Sequence, residues 1–287
     1  MTILNFSDAE RDAGRPNAES IQRAKTAIET DGFVVLEDVV DLAHIAVLRE
    51  KMLADLPTVL ARTDTPFNFN RSNVQQDPPP FPPYLFRDVL VNEYAIAISE
   101  AVLGKHPVNA FYSSNVALPN TAQRQPVHAD IGHLWSNTEH ATPAYALVIN
   151  IPLVDMSAAN GSTEIWPGTQ ADTSVGMQDG DITASEEKLA YWRAKHPPIQ
   201  PVVKAGSILM RDIRMWHAGM PNPSSQPRPM IAMIHWVGWW RHDGPMPFSP
   251  DSGPYLEHPV LRTHAKFVEG PIDYLGTHGA YALSDEA

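Results

Sequence analysis

The residues best equipped for chemistry fall in one stretch, Gln125 to Arg228. It holds Gln125-Pro-Val-His128-Ala-Asp130, then Asn160-Gly-Ser-Thr163-Glu-Ile-Trp-Pro-Gly168, then His217 with Arg228 eleven residues on. On a β-strand, side chains i and i+2 point to the same face. A His-x-Asp pair on a strand therefore aims an imidazole and a carboxylate at one point. A second His from a neighbouring strand, His217, would complete a facial set of two His and one carboxylate. That set leaves the other octahedral positions open and is diagnostic of non-haem Fe(II) oxygenases. His128, Asp130 and His217 are thus the candidate metal ligands and catalytic centre. His133, five residues after His128, has the wrong parity for that strand face and is set aside.

His217 closes an apolar run, Ile208 to Trp216. A loop from Pro221 to Pro227 follows, then a second apolar run, Met230 to Ile234. The pattern predicts a hairpin. With its turn centred between Ser224 and Ser225, Arg228 pairs across from Pro221 on the face of His217, about 13 Å away at roughly 3.3 Å per residue. A metal, a five-carbon diacid and an Arg side chain fill that gap. A guanidinium grips a carboxylate through two parallel hydrogen bonds, so Arg228 is the candidate clamp for a diacid's far end. The bland alternative is a surface Arg at a strand start.

The order Gln-x-x-His-x-Asp, then Asn-Gly-x-Thr-x-x-x-Pro-Gly-Thr, then His with Arg eleven on, resembles the phytanoyl-CoA dioxygenase family of Fe(II)/2-oxoglutarate oxygenases. The resemblance runs from Asp31-Gly-Phe-Val-Val-Leu36 to about Trp240, and Gln125 and Thr163 make it most like members that tailor natural products. It implies that His128, Asp130 and His217 bind Fe(II), that Arg228 holds the distal carboxylate of 2-oxoglutarate, and that Gln125 and Thr163 assist. It also implies that O2 decarboxylates 2-oxoglutarate to succinate and CO2, and that hydrogen is then taken from a substrate C–H bond. Related halogenases lack the carboxylate ligand, so Asp130 favours hydroxylation, desaturation or rearrangement. Two positions depart from the family pattern. Members that act on acyl-CoA tend to carry a hydroxyl residue where Gly219 stands, and some relatives carry an aromatic residue in place of Asn150.

The elements that must position these residues read as mainly β with flanking helices, a double-stranded β-helix (jelly roll, cupin-like) core. The whole chain, 1–287, is expected to form a single oxygenase domain. Residues 1–105 are a mainly helical N-terminal part packed on the barrel. Residues 106–242 are the core with an insertion near 171–202, and 243–287 are a C-terminal tail. Helices are predicted over 17–30, capped by Asn17, after Asp41, over 89–102 and from Ser185 to Lys195. Strands are predicted at 33–36, 109–118 and 144–154. Thr63 to Phe86 is Pro-rich and should hold neither helix nor central strand; Phe67, Phe69 and Phe81 could touch substrate there. Tyr112 and Ser114 share a strand face and line either the site or the core. Asn150, inside the most apolar strand, either bonds a loop backbone or faces the iron site and 2-oxoglutarate. Residues 171–202 read as a solvated connection, with a lid or dimer contact as the alternative. Met210, Met215, Met220, Met230 and Met233 read first as core and second as a dry shell around the iron. Trp236, Trp239 and Trp240 could cap an apolar substrate or seal the barrel or a dimer. Tyr274-Leu-Gly suggests that the tail packs back on the body.

Net charge is −12, from 21 basic and 33 acidic residues, which argues against nucleic acid and anionic membranes as partners. The chain has no Cys, which excludes thiolate ligands and Cys nucleophiles and fits a reducing, cytoplasmic setting. The N-terminus lacks an apolar signal core, and no run reaches the length of a membrane span. The reading is therefore an Fe(II)/2-oxoglutarate dioxygenase that uses O2 on a mid-sized, largely apolar small molecule in secondary metabolism, with a homodimer left open. Two other classes compete with it. One is a cupin-like metal-binding protein or isomerase that does not use 2-oxoglutarate. The other is a hydrolytic site built on zinc-activated water. Arg228 discriminates, since neither rival needs a diacid clamp.

Overall fold

The computed structural model describes residues 1–283. Its frame is a nine-stranded sheet with the spatial order Ile3–Leu4, Phe33–Leu36, Ile208–Asp212, Ala146–Pro152, Arg228–Trp236, Val108–Ala117, Asn70–Gln75 and Phe67–Asn68. Arg262–Thr263 adds to Val108–Ala117. Facing it is a small sheet in which Glu164–Ile165 pairs with His217–Ala218. Bridges extend that sheet from His128 to both His217 and Thr183, and from Ile165 to Ile199. Two facing sheets joined this way form the expected double-stranded β-helix.

Ala146–Pro152 is buried along its whole length because both its faces are covered. Leu147, Ile149 and Ile151 pack in the core shared with the helices Ala18–Asp31, Leu42–Leu60 and Glu93–Leu103, while Val148 and Asn150 turn to the interior cavity. Each helix starts where the sequence supplies a cap. Asn17 accepts from the Ser20 N–H, Asp41 from that of Ala43, and Asn92 from those of Tyr94 and Ala95. The last cap splits the single helix expected over 89–102 into Arg87–Leu90 and Glu93–Leu103.

Three expectations fail. First, His217 and Arg228 do not form a hairpin. The chain leaves the large sheet after Asp212, turns through Ile213–Trp216, enters the small sheet at His217, and returns to the large sheet at Arg228. The Asn222 side chain makes this crossing, donating to the carbonyls of Ala117 and Gln226. Second, the Pro-rich stretch does contain a strand, Asn70–Gln75, paired with Val108–Ala117; it lies in the proline-free gap between Pro66 and Pro78. Third, residues 171–202 are no mere solvated connection. Thr183 bridges His128, Ile199 bridges Ile165, and Leu189 and Trp192 are buried. Of the alternatives open for the three tryptophans, the substrate cap is not seen: none lines the cavity, Trp236 is buried in the main core, Trp240 stacks on both Trp236 and Tyr145, and Trp239 is exposed. Among the described residues, no helix is long and apolar enough to cross a membrane.

Candidate active site

His128 and His217 face each other as a hydrogen-bonded antiparallel pair. The N–H of His128 donates to the carbonyl of His217 at 3.0 Å, and the reverse bond is 2.9 Å. Side chains of such a pair leave the sheet side by side, and the ring centroids are 4.4 Å apart. Asp130 is two residues along, on the same face. The three candidate ligand atoms lie within 4.8 Å of one another. Nδ1 of His128 sits 2.8 Å from the Pro126 carbonyl, and Nδ1 of His217 sits 3.2 Å from that of Met215. A carbonyl can only accept, so each Nδ1 carries a proton and each ring turns its Nε2 toward the other ligands. Burial and the neighbouring His217 push His128 down to about 3, so it stays neutral at physiological pH.

The opposite-parity residues Val127, Ala129, Trp216 and Ala218 face away from the ligands. They form a separate core with Trp166, Leu189 and Trp192, closed by the helix Glu186–Lys195.

Asp130 has two different neighbours. Its Oδ1 is 3.3 Å from Nε2 of His217, and its Oδ2 takes a 2.5 Å bond from Nη2 of Arg211. Burial alone would raise this carboxyl; the Arg211 guanidinium and His217 more than offset it and hold it well below the usual carboxylate range. Nε of Arg211 donates in turn to Oδ1 of Asn150 at 3.3 Å. Asn150 therefore faces the site, as one of its two readings held, and its partner there is Arg211.

Arg228 lies at the far end of the same cavity, 1% exposed. Its Nη2 donates to the Gly161 carbonyl at 2.8 Å, while Nε and Nη1 have no partner. Burial pulls this guanidinium down to about 10, which still leaves it cationic at neutral pH. A buried cation with two unsatisfied N–H groups fits a carboxylate ligand. Asn73 and Arg228 are both register partners of Ala117, so they share one sheet face with that small residue between them. Gln125 and Thr163 also line this cavity. Oε1 of Gln125 accepts from the Gly219 N–H at 2.7 Å, and its Nε2 donates to the Asn68 carbonyl at 3.1 Å. A Cβ on Gly219 would lie 2.6 Å from that Oε1 and 2.9 Å from Nδ2 of Asn73. The two amides occupy the space that any side chain at this position would need, which accounts for the glycine.

The walls of the cavity, about 530 Å3, were foreseen only in part. Phe69 lies on it, tilted on His128; Phe67 and Phe81 do not. Phe111 and Asn115 face inward, whereas Tyr112 packs in the outer core. Of the five methionines, only Met230 reaches the cavity. The tail returns over the opening through residues 278–281: the Phe69 N–H donates to the Tyr281 carbonyl, and the Tyr281 N–H to that of Phe67, both at 2.9 Å.

Two imidazoles and one carboxylate, converging with open positions between them, suit a divalent iron. The sequence profile of the phytanoyl-CoA dioxygenase (PhyH) family matches residues 28–230. The chain belongs to this family. It is, with that family, an Fe(II)/2-oxoglutarate-dependent dioxygenase. Solved structures with the same fold include AviO1 from Streptomyces viridochromogenes Tue57, at 20% identity over 77% of this chain and 96% of that one, TM-score 0.56. EctD from S. alaskensis with 2-oxoglutarate and 5-hydroxyectoine matches at 16% over 93% and 91%, TM-score 0.58. SnoK, a non-heme alpha ketoglutarate dependent carbocyclase from nogalamycin biosynthesis, matches at 17% over 77% and 84%, TM-score 0.56.

Proposed function

We propose that this PhyH-family dioxygenase oxidises a C–H bond of a mid-sized, largely apolar small molecule in secondary metabolism, by hydroxylation, desaturation or rearrangement. The observation that carries the reading is the pairing within one cavity of the His128, Asp130, His217 set with the half-satisfied guanidinium of Arg228. A zinc hydrolase or a cupin-like isomerase has no use for the second feature. In this reading His128 and His217 offer Nε2, and Asp130 offers Oδ1, to Fe(II). Arg228 takes the distal carboxylate of 2-oxoglutarate through Nε and Nη1, while Gln125 and Thr163 shape that end. Asn150 acts through Arg211. 2-Oxoglutarate, when bound, supplies the electrons that activate O2 as it becomes succinate and CO2.

The substrate then occupies the rest of the cavity, against Phe69, Phe111, Ile131, Val148, Ile182 and Ile234. These side chains support an apolar body and keep bulk water from the reacting carbon. The natural-product context of SnoK supports a tailoring role.

An anaerobic titration of the apo-protein with Fe(II), then 2-oxoglutarate, followed by visible absorbance, tests the reading. The keto acid should give a charge-transfer band with the wild type and none with His217→Ala. Bound iron without a band would favour the cupin-like alternative, and tight zinc without iron the hydrolytic one.

A further inference from the structure

Arg211 is a buried cation at the metal site that the ligand set and the cosubstrate clamp do not require. It is 6% exposed, lines the cavity, and spends two of its nitrogens on Asp130 and Asn150; Nη1 has no partner. Asp130 is the only acid among the described residues on the cavity wall. His278, also on the wall, has its own counter-charge in Asp77 at 2.7 Å. Asp130 must therefore serve both the metal and Arg211. With a divalent metal and doubly negative 2-oxoglutarate in place, the metal and the two guanidinium groups exceed Asp130 and the cosubstrate by a single positive charge. An unbalanced charge in a buried cavity is costly. Without Arg211 the same site would be neutral.

We propose that the primary substrate supplies the balance: it carries one carboxylate, received beside the metal by Arg211, on an otherwise apolar body. This inference rests on the oxygenase reading, and it narrows the substrate class. A neutral substrate would leave the guanidinium uncompensated, while a polyanion would overshoot. Arg211 reaches the cavity from Ile208–Asp212, the strand next to that of Val148 and Asn150. The carboxylate is thereby held at the metal-ligand end of the cavity, near Asp130, and away from Arg228.

The test uses the full chain loaded with Ni(II), as a redox-silent stand-in, and 2-oxoglutarate. Cyclohexanecarboxylate and cyclohexanecarboxamide, matched in shape, are titrated against it by ligand-observed NMR. The carboxylate should bind about tenfold tighter or more, since the pair is charge-assisted and desolvated. Arg211→Gln should bring the two within about threefold, while Arg211→Lys, which keeps the charge, should retain most of the preference. Equal binding of the two probes to the wild type overturns the proposal without any variant. It is also overturned if Arg211→Gln abolishes the Fe(II)/2-oxoglutarate absorbance band while the probe preference persists, because Arg211 then serves the cosubstrate. Absence of that band in the wild type sinks the oxygenase reading itself, a distinct result.

Discussion

The ring of Phe69 leans on that of His128, with centroids 4.4 Å apart, and meets Tyr281 edge-on at 5.3 Å on its other side. A candidate metal ligand, a wall residue and the returning tail are thus in series. Phe69→Ala should remove the contact that both walls the site and anchors residues 278–281. The expected outcome is a several-fold rise in 2-oxoglutarate consumption without substrate, with Fe(II) affinity changed by less. Succinate formation measured beside a metal titration checks this; unchanged basal turnover would show that water exclusion does not depend on this ring.

Arg228→Ala should act on the cosubstrate and spare the metal. Truncating one partner of a buried charged pair costs about 2–5 kcal/mol, so the apparent KM for 2-oxoglutarate should rise roughly a hundredfold or more. Fe(II) or Co(II) affinity should stay within a few-fold. Equal losses of both would mean that Arg228 supports the fold rather than the dicarboxylate.

Gly219→Ser restores the hydroxyl residue of acyl-CoA-directed relatives, yet it should impair this chain. Its Cβ would meet Oε1 of Gln125 at 2.6 Å and Nδ2 of Asn73 at 2.9 Å. The Gln125 side chain must move and surrender its bond to the Gly219 N–H. A thermal shift downward together with weaker 2-oxoglutarate binding is expected, and pairing it with Asn73→Ala should recover part of the loss.

Acid stability has one separable contribution at the first helix, Asp8–Ala13. Burial tends to raise the Glu10 carboxyl, but the Asn17 N–H, the Ser20 side chain and the Ser7 cap bond its charged form and bring it from 4.5 to about 2. A depressed folded-state value means the stabilisation is present above 4.5 and is lost as pH falls toward 2. The melting-temperature gap between wild type and Glu10→Gln should therefore be widest above pH 5 and shrink toward pH 2. A constant gap would assign the effect to shape rather than ionisation.

The candidate metal ligands could be picked out because strand parity is local: two residues two apart, plus one His, needed no knowledge of the partner strand. Arg228 was legible by its chemistry, but its geometry was not. Its link to His217 crosses from one sheet to the other, and nothing in the apolar runs on either side signals which sheet each joins. Arg211 was invisible for a related reason. It sits in the run Ile208 to Trp216 as one of three charged residues there, with Asp212 and Arg214, and nothing local singles it out; its meaning depends on Asp130, eighty-one residues earlier. Asn70–Gln75 is a polar strand with little propensity of its own, formed because Val108–Ala117 offers it an edge. The pairing of Tyr281 with the Phe67–Phe69 segment spans most of the chain, beyond the reach of any periodicity.

The tryptophan-rich core behind His128 and His217 bears on how the metal is taken up. With Trp166 and Trp216 fully buried against the reverse side of both strands, the imidazoles cannot swing outward. The site is a jaw already set before the ion arrives. Loading should therefore shed water from the ion without ordering the chain. Calorimetry should record a heat-capacity change near zero, and the association rate should track the ion's own water-exchange rate, differing between Ni(II) and Fe(II) as the aqueous ions do.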